Sequence, residues 1–169
     1  MANIIQQFKS INAFINGVVL QGTIDGFEPP TVTSETEEFR AGGMDGYVDV
    51  ETGQEKMECS LMTKGIQPDI IGAWGSGKPD TRLEVRGALE NYDGTVKSVV
   101  YEMTGLVTTI EHDELQGRGE LPRVTLTMNP NFYKMTLDGE VKYEIDVVNN
   151  QRIIDGTDRL AEIRAAIGS

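Results

Sequence analysis

The sequence has one cysteine, Cys59, and one histidine, His112. A lone cysteine forms no intrachain disulfide, and without a second His or Cys neither the usual zinc frameworks nor a Cys–His nucleophilic pair can be built. Nowhere do 18 apolar residues run together, and the opening MANIIQQFKS has no apolar stretch of signal-peptide length. Neither a helical membrane span nor signal-directed export is therefore expected, and the chain is expected to start in a cytoplasm. Basic residues are scarce: 15 Lys and Arg stand against 27 Asp and Glu, a net charge of −12. With no basic cluster, this balance argues against gripping the phosphates of nucleic acid or an anionic bilayer.

What the 169 residues do contain is enough for one unit. Area scaling gives a folded surface of about 8,200 Å² against about 27,000 Å² for the extended chain, so a sizeable core is possible without staples. A single domain over residues 1–169 is expected. Glycine is abundant, with 19 residues, and the apolar residues mostly alternate, which predicts short strands and many turns.

Asn16-Gly17 favours a two-residue type I′ hairpin between strands at about 11–15 and 18–24. FEPPTVTSETEE, Phe27 to Glu38, carries a Pro pair and four acids and reads as an edge or an extended loop, outside the core. RAGGMDG, Arg40 to Gly46, reads as a loop because three glycines in seven residues cannot sustain a regular element. Strands are expected at Tyr47–Glu51, Lys56–Thr63, Thr81–Glu90, Val96–Ile110 and Val124–Met128. A short helix is expected from Pro68 to about Trp74, with Trp74 as its anchor, and a C-terminal helix capped by Thr157 or Asp158, with Leu160, Ile163 and Ile167 on one face and Gly168 as its stop.

At Asp138-Gly139 the parity of the loop decides which side chains are buried. A two-residue loop mixes apolar and charged residues on each face. A three-residue loop with Gly139 in a G1 bulge pairs Met135 with Val141 and Tyr133 with Tyr143, and is the expected register. Lys134, Thr136, Glu140, Lys142, Glu144 and Asp146 then form a polar face.

No catalytic constellation emerges. GAWGSGK, Gly72 to Lys78, matches a phosphate-binding loop until Pro79 replaces the Ser or Thr that ligates Mg²⁺, and a strand follows where a helix is needed. His112 in EHDE reads as a solvated loop residue. Asp45, Asp49, Asp138 and Glu140 do not follow calcium-loop spacing. Cys59, alternating with Met57 and Leu61, reads as a small buried apolar residue. No catalytic, cofactor-binding or metal residues are assigned.

Two stretches go beyond pattern. FRAGGMDG, Phe39 to Gly46, and YKMTLDGEVKYEIDVVNNQRIIDGTDRLAEIR, Tyr133 to Arg164, resemble the major tail tube protein of contractile-tailed bacteriophages and of phage-tail-like bacteriocins; the N-terminal hairpin with INGV adds to the resemblance. It implies a mainly β fold, a β-sandwich or rolled β-barrel with a short flanking helix and a C-terminal helix. It further implies six-fold rings stacked into the hollow inner tube of a contractile virion tail, a conduit for DNA that is passed without specific binding. The implied partners are copies of the chain itself, the tail sheath protein, a tape measure protein inside the tube, and baseplate and tail terminator proteins. The implied place is the virion tail, assembled in the bacterial host cytoplasm without membrane insertion of the subunit. Carried over as oligomer-interface residues are Arg40, Ala41, Gly42, Gly43, Met44 and Asp45 in the loop, and Tyr143, Glu144, Ile145, Asp146 and Asn149 in the C-terminal signature; Lys134, Glu140 and Lys142 stand on the polar face toward lumen or sheath.

Net negative charge suits a conduit through which DNA slides, because it repels phosphates. Other readings of the same residues are a type VI secretion-like tube protein, a monomeric β-barrel that binds a ligand, and a hydrolase using two carboxylates. Rings or hollow rods separate the tube proteins from the last two.

Overall fold

A computed structural model describes residues 5–169. In chain order the elements are β1 (Gln6–Ile15), β2 (Val18–Val19), β3 (Ile24–Glu28), β4 (Ser34–Phe39), β5 (Val48–Gln54), β6 (Cys59–Lys64), α1 (Pro68–Ile71), β7 (Thr81–Asn91), β8 (Val96–His112), β9 (Arg123–Leu137), β10 (Glu140–Asp146), β11 (Gln151–Ile154), β12 (Thr157–Asp158) and α2 (Ala161–Ile167). All but β4 and β5 belong to one antiparallel ten-stranded sheet, in the order β12-β11-β10-β9-β8-β7-β1-β2 with β6 also on β9 and β3 on β6. The fold is mainly β with two short helices, as expected; the sheet is rolled but does not close into a barrel.

The roll is built by β8 and β9. They pair with each other along most of their length, while the other edge of β9 is shared: residues 123–128 pair with β6 and residues 132–137 with β10. The changeover falls at Asn129-Pro130, opposite Gly105, where the β8–β9 register shifts. Proline donates nothing to a ladder, so a bulge is where a strand tolerates one. The two half-sheets enclose the core, in which Leu61, Leu83, Val85, Leu126 and Met128 are almost wholly buried. Each such side chain contributes about 1.5–3 kcal/mol through removal of its apolar surface from water. Ile70 of α1 plugs the same core.

The two-residue turn at Asn16-Gly17 forms as expected, with both residues at positive φ and Ile15 paired with Val18. Its second strand is only Val18–Val19, and the chain re-enters the sheet at β3. The segment read as an edge or loop from Phe27 to Glu38 ends β3 and then forms β4, exposed throughout. The hairpin at Asp138-Gly139 departs from expectation. Its loop has two residues, φ 50° and 83°, with Glu140 opposite Leu137 and Val141 opposite Thr136. A bulge at Lys142 then resets the parity, so that Tyr143 faces Met135 and Ile145 faces Tyr133. The buried set Tyr133, Met135, Tyr143 and Ile145 is as expected, but the extra residue lies in the strand instead of the loop, and Val141 belongs with Thr136.

The helices are shorter than their periodicity suggested. α1 stops at Ile71 with Gly72 as its C-cap, and Trp74 is no anchor: it is 59% exposed. Thr157 and Asp158 pair with β11 and do not cap α2, whose N-cap is Leu160; the Asp158 carboxylate accepts from the Leu160 N–H at 3.0 Å. Gly168 closes α2 in the left-handed conformation, as expected.

Candidate assembly surface

Among the described residues, β4 and β5 pair only with each other and project from the body as a two-stranded arm. A lone two-stranded ribbon is marginal in water. The arm's two faces differ in chemistry. One carries Phe39 opposite Val48 and Glu37 opposite Val50, with all three apolar side chains exposed. The other carries Glu38 opposite Asp49 and Thr36 opposite Glu51, a like-charged pair in direct cross-strand contact that opposes pairing.

The tip holds the loop Arg40 to Asp45 singled out in the sequence, and it is a turn with internal bonds. The Met44 N–H donates to the Ala41 carbonyl at 3.2 Å, with Gly43 at φ 90°, the sign that glycine adopts without strain. Arg40 Nε donates to the Met44 carbonyl at 3.3 Å, and its guanidinium lies 5.5 Å from the centre of the Tyr47 ring. A Cβ on Gly42, Gly43 or Gly46 would meet nothing within 4 Å.

At the arm's root, Arg152 of β11 donates through Nη1 to Glu51 at 2.5 Å, an ion pair that ties arm to body. The C-terminal signature residues divide by position. Ile145, 1% exposed, lies in the core, while Tyr143 is half-buried and stacks its ring on Tyr133 at 6.3 Å. Asp146 and Asn149 shape the β10–β11 loop, the carboxylate accepting from the Asn149 backbone N–H at 3.1 Å and from its side-chain amide at 2.6 Å. That turn leaves Val147 and Val148 outside. Arg164 of α2 joins this end together, donating to Asp158 at 2.5 Å and to the Asn150 carbonyl at 2.9 Å; the guanidinium holds the Asp158 carboxyl below its ordinary range. No α2 side chain is buried, and Ile163 and Ile167 face outward.

The polar face of the large sheet carries a row across four strands: Glu84, Glu102, Lys134 and Glu144 are successive cross-strand neighbours. Lys134 is thus flanked by two carboxylates. Lys142, on its bulge, contacts Glu140 and Asp155, each at 3.0 Å, and bonds to Asp155 and Glu140 raise its pKa. The face is acidic on balance.

The remaining sequence candidates are dispersed. His112 ends β8, beside Val124, instead of lying in a loop. Burial, with Glu58 beside it, pushes the Cys59 thiol up to about 12, which fits the structural reading of this residue. The GAWGSGK segment leads into β7 without a helix. Trp74 donates its indole N–H to the Thr108 carbonyl at 3.2 Å, at a β8 bulge. Glu51, Gln54 and Arg152 escaped the sequence reading; an arginine inside the apolar-flanked run QRII was the one available signal.

The phage tail tube protein FII family model matches residues 5–168. The tail tube protein of Escherichia phage P2 is 28% identical over 172 residues, covering 96% of this chain and 97% of that relative. The major tail tube protein of Serratia phage KSP20 is 28% identical over 147 residues, covering 85% and 84%. Among solved structures, the fold resembles the sheath/tube terminator of PVC, an extracellular contractile injection system, at TM-score 0.55 and 13% identity over 75% of this chain and 92% of that one. It also resembles a chain of the PVC sheath–tube complex, at TM-score 0.55 and 10% identity over 75% and 87%. An arm that a solitary subunit leaves uncovered, on a rolled and unclosed sheet, is what a subunit made to join its copies presents, and the chain belongs to the phage tail tube protein FII family.

Proposed function

We propose that this chain is a single-domain major tail tube subunit. Copies assemble as six-fold rings that stack into the hollow inner tube of a contractile tail, and the tube delivers DNA through the envelope when the surrounding sheath contracts. The subunit acts as structural material, not as a catalyst. Sheath protein surrounds it, a tape measure protein occupies the lumen during assembly, and baseplate and terminator proteins close its ends; assembly takes place in the host cytoplasm. The curated relatives are named as tail tube proteins of phages, and structural neighbours come from a sheath–tube complex, a sheath/tube terminator and an anti-feeding prophage baseplate, which supports sheath, terminator and baseplate as partners.

The observation that carries the reading is surface that a solitary subunit has no use for. The accessible area is 11011 Å², against about 8,200 Å² for a compact monomer of this mass. The excess exceeds the roughly 800 Å² per partner of a stable interface several-fold. The arm accounts for part of it and bears the Arg40–Asp45 tip.

Negative-stain microscopy of the purified protein tests this, since only a tube protein gives rings or hollow rods. Arg40→Ala is expected to fold normally, by circular dichroism and melting, and to lose the rods; Gly43→Val, which strains the tip turn at φ 90°, is expected to keep the sheet's circular dichroism and to lose the rods. Monomers at every concentration and salt condition would overturn the proposal, and normal polymerisation of both variants would remove the tip from it.

A further inference from the structure

Beyond self-assembly, we infer that the cleft built on Trp74 and the acidic cleft adjoining it form one docking surface for a different protein, entered by a segment that presents an apolar side chain beside Lys or Arg. The first cleft, about 410 Å³, lies between the end of α1 and β8, and Ile71, Trp74 and Ile110 supply its apolar walls. The second, about 550 Å³, is formed by the loop that joins β8 to β9. His112 lines both, so the two meet there.

Trp74 is held as a platform. A bulge makes Thr108 the extra residue of β8, and its carbonyl accepts the indole N–H at 3.2 Å. The one polar group of the side chain is thereby satisfied within the subunit, while Trp74 stays 59% exposed and Ile71 37% exposed. An aromatic side chain buries about 150–250 Å² when fully covered, so much of the apolar surface of this ring leaves water only when something docks on it. The hydrogen bond also orients the ring before a partner arrives, which removes part of the ordering cost of binding, and tryptophans in such positions are among the residues that dominate protein interfaces.

Charge selects the occupant. Glu111, Glu114 and Glu120 line the second cleft and have no ion-pair partner among the described residues. Asp113 differs, lying 3.8 Å from Arg123, whose guanidinium also holds Asp25 at 2.8 Å. Arg118, the loop's other cation, does not line the cleft. Unpaired carboxylates beside an apolar cleft attract Lys or Arg on the incoming segment and repel phosphates, which disfavours nucleic acid. They disfavour a second copy as well: this chain carries −12, and no two of its Lys and Arg residues are neighbours in sequence, so it has no basic segment to offer. The occupant is a segment of a different protein.

Trp74 is the chain's one tryptophan, so its fluorescence, excited beyond the tyrosine band, reads this site alone in the full-length protein. A short peptide alternating Leu and Lys is expected to shift the emission to the blue and to protect it from acrylamide quenching, an effect that added salt weakens. A Leu–Glu peptide of the same length is expected to do neither. In the double variant Glu111→Lys with Glu114→Lys, both at exposed positions, the preference between the peptides is expected to reverse. Trp74→Ala is expected to form rods of normal length, and acrylamide is expected to quench Trp74 as strongly in wild-type rods as in free subunits. No response to the Leu–Lys peptide, an equal response to both peptides, or a preference unchanged by the double charge reversal would overturn the docking surface. Shielding of Trp74 in rods, or loss of rods from Trp74→Ala, would also overturn it, by giving the cleft to a second copy. The peptide titration needs no rods, so failure of this inference is distinguishable from failure of the tube reading.

Discussion

Gly105 and Asn129 pack backbone to backbone: a Cβ on Gly105 would lie 2.1 Å from the Asn129 carbonyl oxygen and 2.6 Å from Cα of Pro130. This close approach is what lets β8 and β9 bend together from one half-sheet to the other at Asn129 and Pro130.

Neither neighbour is the free end of a flexible side chain, so Gly105→Ala has nowhere to go. It is expected to cost at least the roughly 1–3 kcal/mol typical of overpacking, lowering Tm by several degrees for a chain of this length. Gly53→Ala provides the contrast, because its Cβ would meet only the mobile Glu35 carboxylate at 3.5 Å. Equal melting temperatures for the two variants would show that the bend tolerates a side chain.

Tyr143→Asp and Lys142→Asp test the observed hairpin register. Tyr143 packs against the core beside Tyr133, and an unpaired charge there is expected to cost several kcal/mol, enough to abolish cooperative melting in a marginally stable domain. Lys142 sits on the bulge and makes only exposed ion pairs, each worth about 0–1 kcal/mol. Its replacement by Asp, which adds repulsion against Glu140 and Asp155, is expected to move Tm by a few degrees at most. Comparable losses in both variants would contradict the register.

That hairpin shows what was legible in the sequence and what was not. Asp138-Gly139 announced a turn, and the alternation around it identified Tyr133, Met135, Tyr143 and Ile145 as one buried face. Alternation reports the sum of loop and strand parity, however, so it could not say whether the extra residue sat in the loop or at Lys142. The tip glycines were legible because their local backbone demand is strong. The arm strand β4 was not, because it has acids on both faces and is held by backbone pairing alone. The ion pair between Glu51 and Arg152 joins residues 101 positions apart, beyond the reach of any local pattern.

Acid should loosen the C-terminal helix before it unfolds the sheet. Arg164 holds the Asp158 carboxyl below its ordinary value of 3.8, so the folded-state pKa is the lower one. Such a group stabilises the fold above the unfolded pKa, and that contribution fades as pH falls through the folded one. Hydrogen exchange of α2 amides, corrected for the pH dependence of the intrinsic rate, is expected to lose protection below pH 3.8, with β7–β9 still protected. Asp158→Asn should remove the transition; its persistence would assign it to another carboxylate.

Assembly should respond to ionic strength. Each subunit carries −12, so six copies bring −72, and this repulsion is screened over about 10 Å at 0.1 M salt. Rods are expected to form faster or grow longer as NaCl or Mg²⁺ is raised from low values, followed by light scattering. A monotonic fall would instead show that attractive ion pairs between subunits dominate.

Lys134 is the cation inside the acidic row, whose outer member Glu84 is paired with Arg86. It stands between Glu102 and Glu144, with Glu84 next beyond Glu102, so Lys134→Glu would set four carboxylates side by side across four strands. Like charges directly opposite each other in a sheet each cost a few tenths to about 1 kcal/mol, and two new contacts of this kind are created. The variant is therefore expected to be about 0.5–2 kcal/mol less stable than the wild type in low salt. Because the face is solvated, the deficit should shrink as salt approaches 1 M, where the Debye length is about 3 Å. Lys134→Met separates charge from packing: it removes the cation but adds no carboxylate, and should lose less while showing weaker salt rescue. Thermal melts of the three proteins at low and high salt supply the measurement, with rod formation scored alongside. A Lys134→Glu deficit that salt leaves untouched would mean that residue 134 acts through packing, and that the acidic row does not behave as one electrostatic surface.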